Sequence, residues 1–185
     1  MRIDGLERLR GLLRDEGGLM ATLVSPVPEE AAAGIDGRNE PRTSPAVLVA
    51  GGPRVSGRAA EYELLVEAIY EGYLLHYGVP RVVRVGEADL GLLAGDRLYA
   101  IGLARLVALG DTIAVAELAD TITLSALAQG AGDHALAEAV WAAGARAVGW
   151  GTSEIHRRAK DLVCAGAPEG IEAMRTSAAA IPASP

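Results

Sequence analysis

Two pairs of carboxylates stand seven residues apart in this chain, Asp89 with Asp96 and Glu154 with Asp161. Seven residues make about two helical turns, so on a helix both members of a pair project from one face. Paired carboxylates offer the hard oxygen ligands that magnesium takes when it holds a diphosphate. Asp96 lies among apolar residues, where a charge needs a partner. A salt bridge or hydrogen bond inside a helical bundle is the favoured partner there, ahead of a metal. Arg81 and Arg84 stand just before a helix start, and Arg157, Arg158 and Lys160 form a second basic cluster. Such groups suit a phosphate, although surface ion pairs are their commoner use. Asp89, Asp96, Arg81 and Arg84 are therefore the candidate ligand-binding residues. No catalytic residue, metal ligand or cofactor is assigned.

Other chemistries have less behind them. His76, His134 and His156 are scattered and make no metal-binding pair. Cys164, the single cysteine, reads as a buried small hydrophobe. Gly91, Gly95 and Gly102 fall inside a helical pattern and not in a phosphate loop. Glu117 and Asp120 read as the solvated face of their helix.

The elements that must carry these residues are helices. Apolar residues at 3, 6, 9 and 13 predict a helix over 3–15, ended by Gly17-Gly18. From 25 to 57, recurrent Pro and Gly predict an extended arm, with the apolar run 46–50 as a lone strand, a segment lying in a groove or, the favoured reading, a loop packed on the core. Tyr62, Leu65, Val66, Ile69, Tyr73 and His76 keep helical spacing over 58–77, with Glu63, Glu67 and Glu71 along another face. Asp89 is expected to cap a helix running to Leu109, Gly110-Asp111 to join it to a helix over 112–129, and Asp133 to cap one reaching about Ala147. Further helices are expected over 152–164 and 168–178. The short connections favour an all-α antiparallel bundle. The domain reading is an N-terminal amphipathic helix and Pro/Gly-rich arm over 1–55, a helical bundle over 56–177 and a tail over 178–185.

Composition narrows the class. The chain has 185 residues, is half hydrophobic and carries a net charge of −7. That composition excludes a mainly disordered chain and gives no basic field for nucleic acid. The apolar stretch 90–109 contains Asp96, Arg97 and Arg105, charges that are costly in lipid. The start of the chain lacks the apolar core of a secretory signal. A cytoplasmic protein with no membrane span is expected.

The stretch Leu92–Leu106 (LLAGDRLYAIGLARL), Gly110-Asp111 and Leu118–Gly130 (LADTITLSALAQG) resembles the trans-isoprenyl diphosphate synthases. Leu65 to His76 sits where that family places its first aspartate-rich helix, with an arginine and a glycine following, as Arg84 and Gly86 do here. The resemblance covers roughly 58–130. It implies part of the isoprenoid synthase fold, which dimerises through its helices and has small partner subunits in some members. In the family, paired aspartates after a histidine hold magnesium against the allylic diphosphate. Here Tyr77, Gly78 and Val79 follow His76, and no Asp-Asp-x-x-Asp occurs. The resemblance therefore implies the scaffold with its chemistry removed.

The expectation is a non-catalytic, prenyl-synthase-like accessory, regulatory or small subunit, partnered by its own copies or by a larger synthase-like subunit. One alternative is a divergent enzyme or binder of an isoprenoid or other apolar ligand, held in a cavity left by Ala and Gly between helices. Another is a structural assembly component that docks through its arm.

Overall fold

A computed structural model describes residues 4–25 and 44–180 of the chain. Among them the only regular structure is helical. The α-helices are α1 (Gly5–Glu16), α2 (Gly18–Thr22), α3 (Pro45–Ala50), α4 (Ala59–Tyr77), α5 (Ala88–Ala108), α6 (Thr112–Gly130), α7 (His134–Trp150), α8 (Glu154–Cys164) and α9 (Gly170–Ala179), with a 3-10 helix at Pro53–Arg58. A lone antiparallel bridge joins Val24 to Val83, and no strand forms among the described residues. The protein is an all-α helical bundle. No helix among the described residues is long and apolar enough to cross a membrane.

The helix ends follow local chemistry. Asp111 and Asp133 cap α6 and α7 by accepting from the N–H of Ala114 and Leu136. Gly110 ends the preceding turn with φ +77, a left-handed conformation that favours glycine. Asp89 is not a cap. Glu87 occupies that position, and Asp89 lies in the first turn of α5, where its charge complements the helix dipole. The run 46–50, expected as strand or loop, is the helix α3. Ser44 starts it by accepting from Ala46 N–H, with Pro45 in its first turn. The expected tail extends beyond residue 180, and that part of it lies outside the described residues, as do most of the expected arm between 25 and 44 and the first three residues.

Helices α4 and α5 pack closely against each other. A Cβ at Gly72 would meet Gly95 O and Tyr99, one at Gly95 would meet His76, and one at Gly102 would meet Ile69 and Leu65 O. The partners run backward along α4 as they run forward along α5, so the two helices are antiparallel. Glycine at the crossing brings the backbones together and leaves no room between them.

Three apolar clusters fill the interior. Val49 of α3, Leu65 and Ile69 of α4, Leu118 of α6 and Trp141 of α7 make the first. Leu9 and Leu13 of α1 join Ala68 and Leu98 in the second, and Leu124, Val140, Ala159, Val163 and Met174 tie α6 through α9 in the third. Leu9, Leu13, Ala46 and Val49, all from the stretch read as helix and arm, are fully buried.

Candidate functional site

Glu63, Glu67 and Glu71 recur at four-residue steps on α4 and are all buried. Glu63 pairs with Arg8 of α1 at 2.5 Å. Glu67 receives Arg81 Nη2 at 2.5 Å and Ser44 Oγ at 2.7 Å. Glu71, fully buried, accepts the backbone N–H of Arg81, Val82 and Val83 at 2.7, 2.6 and 3.0 Å, and Arg81 Nε at 3.3 Å. The column is internal scaffolding. It satisfies N–H groups of a non-helical connection that have no helix or sheet partner, and it ties α1, the start of α3 and the 81–83 loop to α4.

The residues picked from sequence do not converge. Arg81 is held by Glu67 and Glu71. Arg84 Nε donates to Ser25 Oγ at 3.1 Å. Asp89 is exposed. Asp96 is also exposed, its side chain 68% accessible, with its Oδ1 3.4 Å from His76 Nε2. Its apolar sequence neighbours Leu92 and Leu93 face outward beside it, so the burial inferred from its surroundings does not occur. Cys164 is exposed, contrary to the buried reading. Arg157 and Arg158 pair with Glu154 on their own helix. Among the described residues no group of three or more His, Cys, Asp or Glu side chains could hold a metal ion.

The structure instead builds a buried polar cluster between α6, α8 and α9. Glu117, read as solvated, is buried. Its Oε1 lies 2.5 Å from His156 Nε2, while His156 Nδ1 lies 2.7 Å from Ser177 Oγ. Lys160 Nζ reaches both Glu117 oxygens, at 3.0 and 3.1 Å, and Asp120 at 2.8 Å. Burial opposes the Glu117 charge, but the hydrogen bond and charge of His156, then those of Lys160, outweigh it and lower its pKa. The carboxylate accepts from Nε2–H of His156, and Nδ1 on the other side of the ring bonds the Ser177 hydroxyl. The signal for Glu117 was present in the spacing. Ala114, Leu118, Thr121, Ser125 and Ala128 mark the buried face of α6, and position 117 falls on it.

A second polar cluster stands at the start of α6, beside a recess of about 440 Å³. Asp111 receives Arg54 Nη2 at 2.5 Å and the Tyr62 hydroxyl at 2.6 Å. Burial would raise the Asp111 carboxyl, but the bonds from Arg54, Tyr62 and Ala114 N–H bring it down to about 2. Burial first, and then the bond to Asp111, push the Tyr62 hydroxyl up to about 12. Arg54 also donates to Val148 O at 3.1 Å, so this cation ties the start of α6 to α7.

A second recess, of about 430 Å³, lies between α4 and the first half of α7, with Tyr70, Tyr73, Tyr77 and Trp141 in its lining. No family model, curated protein or solved structure matches this chain.

Proposed function

We propose that this chain is a non-catalytic helical protein related to the trans-isoprenyl diphosphate synthases, acting as an accessory or small subunit by helix-mediated association with its own copies or with a larger synthase-like subunit. The observation that carries the reading is the use of the acidic side chains. Glu63, Glu67, Glu71 and Glu117, the carboxylates buried among the described residues, all answer to cations or N–H groups of the fold. Asp89 and Asp96 stand in solvent and away from any metal-competent group. Ionising an allylic diphosphate requires clustered carboxylates to hold magnesium, and electrostatic stabilisation of that kind is usually the largest catalytic contribution.

Association has support in the surface of α5 and α6. Among the described residues, five of the ten exposed large hydrophobic side chains lie on these two helices: Leu92, Leu93, Val107, Ile113 and Leu127. On α5, Leu93, Ala100, Ala104 and Val107 share one outward stripe, interrupted only by the charges at 96 and 97. Exposed aliphatic side chains in this arrangement suit burial against another helix. The isoprenoid-binding alternative has less support, because the glycines expected to leave a cavity close the α4–α5 crossing instead.

The test pairs light scattering of the intact chain with the variant Leu93→Glu/Leu127→Glu. The wild type should run above monomer mass, alone or with a synthase from the same organism, and the variant should lose that mass with an unchanged helical spectrum. Magnesium-dependent consumption of an allylic diphosphate by the purified chain would overturn the reading.

A further inference from the structure

The outer face of α5 carries opposite charges at adjacent positions, Asp96 and Arg97, in the middle of its exposed apolar stripe. Adjacent residues on a helix point about 100° apart, so the two charges stand on opposite flanks of the stripe at nearly one height. Leu92, four residues before Asp96, shares the Asp96 flank. On the Arg97 flank, α1, α2 and α5 border a recess of about 260 Å³ lined by Leu19, Met20, Leu93, Ala94 and Arg97. Leu19 and Leu93 at this recess and Leu92 on the opposite flank are all exposed. Each flank therefore offers one charge and uncovered apolar surface, and the charges are opposite in sign.

Both charges remain available to a partner. Asp96 is 68% accessible, and His76 Nε2, 3.4 Å from its carboxylate, makes no hydrogen bond. Glu16 serves Arg97 at 3.1 Å and Arg105 at 3.3 Å, so one carboxylate answers two guanidinium groups and a positive charge is left over on that flank. The signs decide how two copies would pair. A two-fold axis parallel to α5 lays the two helices side by side in one direction and sets each flank against the opposite flank of the partner. Asp96 then meets the partner's Arg97, Arg97 meets the partner's Asp96, and the partner's Leu92 comes to the recess beside Leu93. A two-fold axis perpendicular to α5 lays the helices antiparallel and sets each flank against its own copy, which leaves both charges over apolar side chains. Two-fold contacts occur twice, so each complementary pair counts double. Charges in register choose the orientation, and burial of Leu92, Leu93 and Val107 supplies the attraction.

We infer that a second copy of this chain docks on the outer face of α5, the two helices parallel about a two-fold axis, with Leu92 of each copy in the recess of the other and Asp96 of each against the partner's Arg97. The inference rests on the proposed association through this surface and fixes its partner, direction and register.

Two single-cysteine chains test the register, Ala100→Cys and Val107→Cys, each with Cys164→Ser. The two positions lie about 10 Å apart along α5. In the parallel pair each position meets its own copy, so both chains should form a disulfide-linked dimer on mild oxidation. An antiparallel pair brings at most one of them against itself. The exposed Cys164 of the wild type reports the rate of random collision. In sedimentation equilibrium Asp96→Arg, which sets arginine against arginine, should weaken self-association about tenfold. Asp96→Arg/Arg97→Asp restores opposite charges between the copies and should recover most of the loss. Circular dichroism of every variant reports that the fold is retained. Linkage of one cysteine variant only or of neither, linkage no faster than that of Cys164, or wild-type association of a folded Asp96→Arg chain would overturn the inference. A chain that is monomeric alone overturns it as well, and the accessory reading falls with it only if mixing with a synthase also leaves the mass unchanged.

Discussion

His156→Ala removes the residue that links α6 to α9 through α8. Two hydrogen bonds disappear, one to a buried ionised carboxylate at 2.5 Å and one to a buried hydroxyl at 2.7 Å. A bond to a charged group contributes about 1.5–3 kcal/mol and a neutral one about 1 kcal/mol. Lys160 still reaches Glu117, so the carboxylate is not stranded and the larger losses seen for fully orphaned buried charges do not apply. The expected destabilisation is about 3 kcal/mol, or roughly 6–12 °C in Tm for a chain of this size. Ser177→Ala, which removes only the neutral bond, should cost about 1 kcal/mol. Urea denaturation followed by circular dichroism measures both. Glu117→Gln supplies the pH test. Because the folded-state pKa of Glu117 is lowered, its stabilisation is fully present above the unfolded value and is lost as pH falls through the folded one. As the pH falls below the ordinary glutamate range the wild type should therefore lose more stability than Glu117→Gln. A His156→Ala protein melting within about 1 °C of wild type, or parallel acid profiles for wild type and Glu117→Gln, would refute the reasoning.

Other perturbations probe the scaffold. Glu71→Gln leaves the Arg81, Val82 and Val83 amides facing a weaker acceptor in a fully buried site and should cost about 3 kcal/mol by chemical denaturation; a change below about 0.5 kcal/mol would show that the loop does not depend on that charge. Gly102→Ala forces a methyl against Ile69 and Leu65 O, and the overpacking should cost about 1–3 kcal/mol. Deleting residues 1–55 removes the fully buried Leu9, Leu13 and Val49, at about 1.5–3 kcal/mol each, and leaves Glu63 without Arg8. The truncated chain should lose its cooperative melting transition, whereas a retained transition would mean that the remaining helices fold without the N-terminal part. Asp111→Asn should make stability less sensitive to acid between about pH 4 and pH 2. The carboxyl titrates at about 2 in the fold against a usual 3.8, and its contribution vanishes as pH drops through that range.

The helical class and most helix ends were legible because they rest on local signals. Asp111 and Asp133 cap the helices they precede, and the spacing of Leu65, Ile69 and Tyr73 marks the buried side of α4. The proline at 45 obscured α3, since proline breaks a helix interior but serves well in a first turn. The electrostatics were less legible. Glu63, Glu67 and Glu71 lie at regular steps that suit a solvated stripe equally well, and what buries them is Arg8, Ser44 and the 81–83 loop, partners up to 55 residues away. His156 and Glu117 are 39 residues apart, and only the packing of α8 beside α6 brings them together. Asp96 erred the other way, because apolar neighbours in sequence do not make a buried face when some of them point outward on the same helix. The aromatic recess was half legible, as Tyr73 belonged to the α4 pattern while Trp141 and Glu138 arrive from α7.

The accessory role is tested most directly by the solution mass of the purified full-length chain, measured by light scattering alone and after mixing with a catalytic prenyl synthase of the same organism. A mass above the monomer in at least one arm, lost when Leu93 and Leu127 both become glutamate, is the expected result. A monomer in both arms would contradict it.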